Sequence, residues 1–251
     1  MKTVKKALDI LDLFAKFDGE LGVTEIAKHL DFHKSTTHAL LATLKNSGYV
    51  IANPNTKKYG LGFKLLEFAE HIAYQRDLRQ LCLPVMRELA STIQEDISLS
   101  IRIETSRICI ALARGPQHVR LNISMGMSVP VHCGAAGKCL LAFIEQSVLQ
   151  RLLEKIEFVR FTPQSISNKK QLVEELSKIQ EQGYAESREE FFKDAAALAF
   201  PLFTADGQIQ AVYSIHSTVN RLTDATRPRF VAAGLEAAGR TNTLLKSLHQ
   251  Y

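Results

Sequence analysis

Residues 24–61 read TEIAKHLDFHKSTTHALLATLKNSGYVIANPNTKKYGL. Thr24 to Leu30 is a short helix signal, Asp31-Phe32-His33 a tight polar turn, and Lys34-Ser35-Thr36-Thr37-His38 the start of another helix. Tyr49-Val50-Ile51 and Tyr59-Gly60-Leu61 flank Asn53-Pro54-Asn55 as two strands flank a turn. Helix, turn, helix and hairpin in that order is a winged helix-turn-helix, a plan that lays its second helix in the major groove of duplex DNA. Within that helix Thr37, Leu40, Leu41 and Leu44 share one face and are expected to pack inward. Thr36, His38, Ala39 and Thr43 then face outward, near the helix N-terminus, where side chains reach base edges.

The charges of this stretch agree with a nucleic-acid partner. No acidic residue lies between Asp31 and Glu67, whereas Lys34, Lys45, Lys57, Lys58 and Lys64 do. A basic run free of carboxylates pairs with phosphates without internal competition. Lys34, Ser35, Lys57 and Lys58 are therefore expected to hold phosphates. Lysines kept only for solubility, or a winged helix used only for protein contacts, are the competing readings.

Outward from this stretch, Val4, Ala7, Leu8, Leu11, Phe14 and Ala15 recur at helical spacing and predict a first helix over 4–17 with one apolar face, ended by Asp18-Gly19-Glu20. Thr24 is the expected N-cap of the next helix. After the hairpin, Phe63, Leu65, Leu66, Phe68, Ala69 and Ile72 predict a linker helix that also meets a second subunit, with packing on its own domain as the alternative. A further helix over 77–91 holds Pro84, which should bend or restart it.

From Asp96 the period changes. Ile97, Leu99, Ile101 and Ile103 alternate with Ser98, Ser100 and Arg102, as in a half-buried strand. Strands are expected at 107–113, 119–123, 184–188, 195–202 and 209–217, the last two joined at Asp206-Gly207, and loop at 125–130. Gly134-Ala135-Ala136-Gly137-Lys138 opens an apolar helix, Asn168 to Gln182 is an amphipathic helix stopped by Gly183, and Thr223 to Leu248 closes the chain. Strands flanked by helices with a late hairpin predict an α+β domain with a largely antiparallel sheet. The division expected is 1–61 for the DNA-reading module, 62–76 for the linker helix and 77–251 for the second domain.

Bulk properties bound the rest. The 251 residues are 46% hydrophobic and 23% charged, with a net charge of +5, a globular composition whose basic signal lies in placement. No apolar run approaches the ~20 residues of a membrane span. The first residues lack the apolar core of a signal peptide, so a cytoplasmic protein is expected. Cys82, Cys109, Cys133 and Cys139 form no Cys-x-x-Cys pair and read as buried thiols; His132, Cys133 and Cys139 match no common zinc spacing. No metal and no cofactor is expected. The adjacent His132 and Cys133 are the one tempting nucleophile and base, but neighbours on a strand point to opposite faces, so an enzyme is not the reading taken.

The motifs resemble a known family. Lys34-Ser35-Thr36-Thr37-His38 with Leu40-Leu41-Ala42-Thr43-Leu44 is similar to the recognition helix of IclR (isocitrate lyase regulator) bacterial transcription factors. Tyr59-Gly60-Leu61-Gly62, Pro130-Val131-His132, Gly137-Lys138-Cys139-Leu140-Leu141-Ala142, Gly183-Tyr184-Ala185, Glu189-Glu190 and Ala199-Phe200-Pro201 follow in family order over nearly the whole chain. The resemblance implies a winged helix-turn-helix, a linker helix and a C-terminal effector-binding α+β domain like GAF and PAS sensors. It further implies dimers or dimers of dimers on near-palindromic double-stranded DNA operators. Its effectors are carboxylates, sugar acids or aromatic acids, and a repressor is the first reading, an activator of a catabolic operon the second. It places the effector pocket at Gly134, Ala135, Ala136 and Gly137 and at strands ending near Arg188, Ala197, Ser214 and His216. A small-residue loop at a helix N-terminus suits a carboxylate, with Arg188 or His216 adding a charge-assisted bond; close packing of the glycine loop and a core role for His216 are the alternatives. The chain departs from the family at Ala39, where an Arg is usual, at Asp194 and Ala197, and at Ser214-Ile215-His216.

Overall fold

The computed structural model describes residues 2–17, 19–70 and 73–248. Asp18 and Ile72, named above at a helix end and on the linker face, lie outside the described residues. The chain forms two units, 1–76 and 77–251, each with its own core.

The first unit contains α1 (Lys2–Lys16), α2 (Val23–Leu30), α3 (Lys34–Asn46), β1 (Val50–Ala52), β2 (Tyr59–Leu61) and α4 (Lys64–Glu70). Its core is Ile10, Phe14, Leu21, Ile26, Leu40, Leu41, Leu44 and Val50. Helix α1 is rotated from the expected face: Ile10 and Phe14 are buried, whereas Val4 and Leu8 are exposed. Helix α2 starts one residue earlier than expected. Gly22 is its N-cap, and the Glu25 carboxylate accepts from the Gly22 N–H at 2.6 Å, so Thr24 lies inside the first turn. Asp31 ends α2 in the left-handed region (φ 53°) and turns the chain into α3. The wing strands pair antiparallel, Val50 opposite Leu61 and Ala52 opposite Tyr59, and Leu21 bridges to Tyr59 as a third, single-residue rung.

The second unit begins within α5 (Ala73–Ile93), which runs through Pro84 as one helix; Pro84 is exposed, so the carbonyl that it leaves unpaired can meet water. Then follow β3 (Asp96–Ile103), β4 (Ser106–Ala113), β5 (Ser128–Pro130), α6 (Gly134–Ala142), α7 (Gln146–Lys155), α8 (Lys169–Gln182), β6 (Ala185–Arg188), β7 (Ala195–Phe203), β8 (Ile209–Thr218) and α9 (Arg227–Leu248). The strands form one antiparallel sheet in the order β5-β4-β3-β8-β7-β6. Residues of α5 and α9 pack with Ile97, Leu99, Phe200 and Tyr213 on one face, and α6, α7 and α8 pack with Ala185, Ala199 and Val212 on the other. Strand β3 is consequently buried on both faces, including Ser98 and Ser100, and is not the half-buried strand that its alternation suggested.

Two further differences bear on the site. The strand expected at 119–123 does not form: residues 114–127 are irregular, Val119 is 72% exposed, and β5 at 128–130, expected as loop, takes the edge beside β4. Helix α7 falls where the sequence reading assigned nothing, although Leu149, Leu152 and Leu153 form its buried stripe. By contrast α8 has the expected ends, with Asn168 accepting from the Gln171 N–H at 2.9 Å and Gly183 at φ 81°.

Helix α6 lies against the chain that leads into it. A Cβ at Gly137 would sit 2.3 Å from the Val131 carbonyl oxygen, so this glycine packs directly against that backbone. Gly134 has φ 75° and open space around its missing Cβ. Replacing Gly137 with Ala should cost ~3 kcal/mol, because backbone cannot give way as a side chain can. Gly134→Ala should cost only about 1 kcal/mol of left-handed strain. Urea unfolding of both variants separates the two roles; equal losses would contradict this packing.

Candidate functional site

In the first unit, α3 turns Thr37, Leu40, Leu41 and Leu44 into the core, and Lys34, Ser35, His38, Ala39 and Thr43 are exposed, with Thr36 partly so. The Thr43 hydroxyl donates to the Ala39 carbonyl at 3.0 Å, so toward a base edge it has only lone pairs to offer. At the wing, Asn53 organises the turn: its Oδ1 accepts from the N–H groups of Asn55 and Thr56 at 2.9 and 3.3 Å. Lys57 is exposed at the tip with φ 56°.

The stretch free of acids along the chain is not free of them in space. Glu20 accepts from Asn53 Nδ2 at 2.8 Å and from the Thr56 hydroxyl at 2.7 Å, and these two bonds hold its pKa below the usual carboxylate value. Glu25 stands 3.3 Å from Lys58 Nζ. Lys58, expected on a phosphate, is thus tied to a carboxylate of α2, which leaves Lys57 as the wing-tip cation.

In the second unit a cleft open to solvent lies at the start of α6. Of the residues named from the sequence, it brings together Gly134, Ala135, Ala136, Ala197 and His216. It adds Arg107, Leu121, Ile123, Ser187, Glu190, Phe191 and Phe192, which the sequence reading did not place there. Gly137 does not line it, for the packing reason given above. Ser214 does not line it either; it is buried in β8 opposite Ala199 and Ser98, and its hydroxyl has no hydrogen-bond partner in the structure. Arg188 is on the edge strand, exposed, with its Nε 2.9 Å from the Glu186 carboxylate, and is also outside the cleft.

The N-terminus of α6 already holds an anion. Glu190 Oε2 accepts from the Gly134 N–H at 3.0 Å, and Glu190 Oε1 meets Lys138 Nζ at 2.5 Å. Lys138 is 1% exposed; its ammonium also donates to Glu175 at 3.0 Å and to the Glu186 carbonyl at 2.7 Å, one acceptor for each proton. Burial pushes the Glu190 carboxyl pKa upward, and Lys138 and the Gly134 N–H pull against it. The helix end that suits a ligand carboxylate is therefore satisfied by the chain itself.

The unmet charge is Arg107. It is 6% exposed, and neither its Nε nor its Nη1 has an acceptor. Burial pushes its pKa below the ordinary guanidinium value. His216 shares a 2.8 Å hydrogen bond with Ser98 through Nε2; burial first, then the charges of Arg107 and Arg114, push its pKa down to about 3. The ring is neutral at physiological pH and serves as a hydrogen-bonding group, not a second cation.

The irregular segment 114–127 supplies Leu121 and Ile123 to the cleft. Arg114 donates to the Ile123 carbonyl and to Asp96, at 2.8 and 2.7 Å, and Asp96 also accepts from the Gly115 N–H at 2.8 Å. Glu95 is held by Arg221 at 2.6 and 2.8 Å, and Arg221 reaches the Val119 carbonyl at 3.4 Å. Asp96, the first residue of β3, lies three residues beyond the end of α5, so Ile123 on the cleft wall is tied through Arg114 to the chain just past that helix.

The adjacent His132 and Cys133 are not arranged as a base and a nucleophile. Cys133 is fully buried and burial pushes its thiol up to about 12, while His132 turns its Nε2 to the Val159 carbonyl at 3.1 Å. Among the described residues no group of His, Cys, Asp and Glu could hold a metal ion, and no helix is long and apolar enough to cross a membrane.

Comparison with known proteins agrees with both units. Residues 3–54 match the IclR helix-turn-helix domain, and residues 70–242 match the bacterial transcriptional regulator IclR C-terminal domain. The chain is 32% identical to the HTH-type transcriptional regulator XynR of Escherichia coli over 230 residues, covering 92% of this chain and 91% of that one. It is 30% identical to the regulator KdgR of Dickeya chrysanthemi over 251 residues, covering 100% of this chain and 82% of KdgR. The crystal structure of the Thermotoga maritima IclR superposes with a TM-score of 0.78 at 27% identity, covering 98% and 99% of the two chains. The protein belongs to the IclR family: it is a DNA-binding transcriptional regulator and not an enzyme.

The two wing lysines should behave differently on DNA. Lys57→Ala should weaken binding to all sequences and reduce the log–log salt slope by about one unit. Lys58→Ala should change the slope less, and Glu25→Gln, which frees Lys58, should strengthen binding at low salt. Fluorescence anisotropy over a salt series reads all three; equal slopes for the two lysine variants would contradict the Glu25 pairing.

Proposed function

We propose that the protein is a dimeric repressor that leaves or holds its operator according to the occupancy of the cleft by an anionic metabolite. Arg107 carries the anionic reading. A guanidinium that is almost wholly buried, lines a cleft and lacks acceptors loses hydration without recompense until an anion arrives. On the DNA side, His38, Ala39 and Thr43, with Thr36 beside them, are the base-facing positions; Ala39 can do no more than touch a thymine methyl. Lys34, Ser35 and Lys57 contact phosphates. Dimerisation is supported by the apolar residues left exposed in the first unit, Val4 and Leu8 of α1 and Phe63, Leu66 and Phe68 at the linker, and by the symmetry of operators read one helical turn apart.

Effector binding shifts an equilibrium between two states of the regulator that differ in operator affinity, with a coupling of ~1–3 kcal/mol. The tie from Ile123 on the cleft wall through Arg114 to Asp96, just beyond α5, couples that helix to what the cleft contains.

Isothermal titration with sugar acids, oxo acids and aromatic acids should find a binder, and Arg107→Gln should weaken it by about tenfold or more. The same compound should alter retardation of the DNA upstream of the encoding gene in a gel shift. Heat only from neutral or cationic compounds would overturn the anionic reading, and failure to retard any duplex at low salt would overturn the whole.

A further inference from the structure

The tip of the wing is spanned by a single carboxylate. Pro54, Asn55, Thr56 and Lys57 are all exposed, so apolar packing does not fix the tip. Hydrogen bonds do. The Lys57 N–H donates to the Asn53 carbonyl at 2.9 Å and the Asn53 N–H to the Lys58 carbonyl at 2.8 Å, which closes the turn. Glu20, on the segment before α2, reaches both ends of it: Oε1 accepts from Asn53, where the turn begins, and Oε2 from Thr56, the residue before Lys57. The foot of this brace is itself held, because Leu21 exchanges both backbone bonds with Tyr59 at 2.9 Å each. Lys57 is thereby kept in the left-handed region, at φ 56°, a conformation that a lysine seldom adopts.

The charge of Glu20 and its bonds pull in opposite directions on DNA. A carboxylate bonded to the neighbour of a phosphate-binding lysine repels the backbone which that lysine approaches, so by charge alone its removal should tighten binding. By its bonds, removal should loosen the turn and let Lys57 leave the strained conformation that fixes its aim, so that binding weakens. We propose that Glu20 is a positioning residue for DNA binding: through Asn53 and Thr56 it aims Lys57 at the phosphate backbone, and this outweighs the repulsion of its own charge. The proposal rests on the reading of Lys57 as a phosphate contact. It makes the residue that precedes α2, outside the basic stretch of the sequence, part of how the wing meets DNA.

The opposite signs make the test. Fluorescence anisotropy of the full-length chain is read over a salt series on the duplex upstream of the encoding gene and on a duplex of unrelated sequence. Glu20→Ala should weaken binding to both by about threefold or more, although it removes a negative charge, and should lower the log–log salt slope by up to about one unit. In a Lys57→Ala chain the same change should no longer weaken binding, since the residue it positions is gone. Glu20→Gln can still accept from Asn53 and can donate to the Thr56 hydroxyl oxygen, so it keeps the brace without the charge and should bind more tightly than wild type at low salt. Tighter binding by Glu20→Ala would overturn the proposal. So would a loss of equal size in the Lys57→Ala chain, which is what general damage to the fold would give, or a Glu20→Gln chain as weak as Glu20→Ala. A Lys57→Ala chain with wild-type affinity and slope would overturn the proposal together with the wing contact on which it rests. A clear Lys57→Ala effect beside a silent Glu20→Ala would overturn the proposal alone.

Discussion

The second unit is organised by the buried ion pair between Lys138 and Glu190. A lysine ammonium at 1% exposure survives only because each of its protons meets an acceptor. Removing either partner would strand a charge in the interior at a cost of about 3–5 kcal/mol. The pair fixes α6 against β6 and the turn that follows it, and through the Gly134 N–H it caps the first turn of α6 with the chain's own carboxylate. Everything at the cleft follows from this. A helix N-terminus normally invites an anion; here the invitation has been answered from within, and the remaining demand for negative charge falls on Arg107, across the cleft on β4.

The DNA-reading unit uses carboxylates in a similar way. Glu20 and Glu25 sit outside the basic stretch in sequence and inside it in space, where they brace the wing turn and hold Lys58. They cost positive field, but they tie the hairpin to α2 and the turn before it and leave Lys57 at the tip. The first unit therefore presents a smaller and more sharply placed cationic surface than its lysine count suggests.

The fold was largely legible in the residues because its signals are local. The Thr37, Leu40, Leu41, Leu44 stripe, Asn168 and Gly183 at the ends of α8, and Asp206-Gly207 in the last hairpin each state their structure within a few positions. What failed was pairwise. Val119 to Ile123 has a strand's composition, yet its place at the edge was taken by β5, and only the sheet decides between two candidates for one edge. The glycine loop looked like a ligand cradle; Gly134, Ala135 and Ala136 do line the cleft, but Gly137 is there for the Val131 backbone. Arg107 lay in plain view as the one charged residue of the strand expected at 107–113, and that anomaly was the available signal. Nothing local says that it lacks a partner. Glu190 was visible only as half of a Glu-Glu motif, and its bond to Gly134 spans a separation no periodicity can reveal.

The measurement that tests this account most directly is a crystal structure of the protein with a bound effector acid. The account predicts the ligand carboxylate within hydrogen-bond distance of Arg107, with Glu190 still on the Gly134 N–H and on Lys138. A ligand carboxylate seated on the α6 N-terminus, with Glu190 displaced and Arg107 untouched, would contradict it.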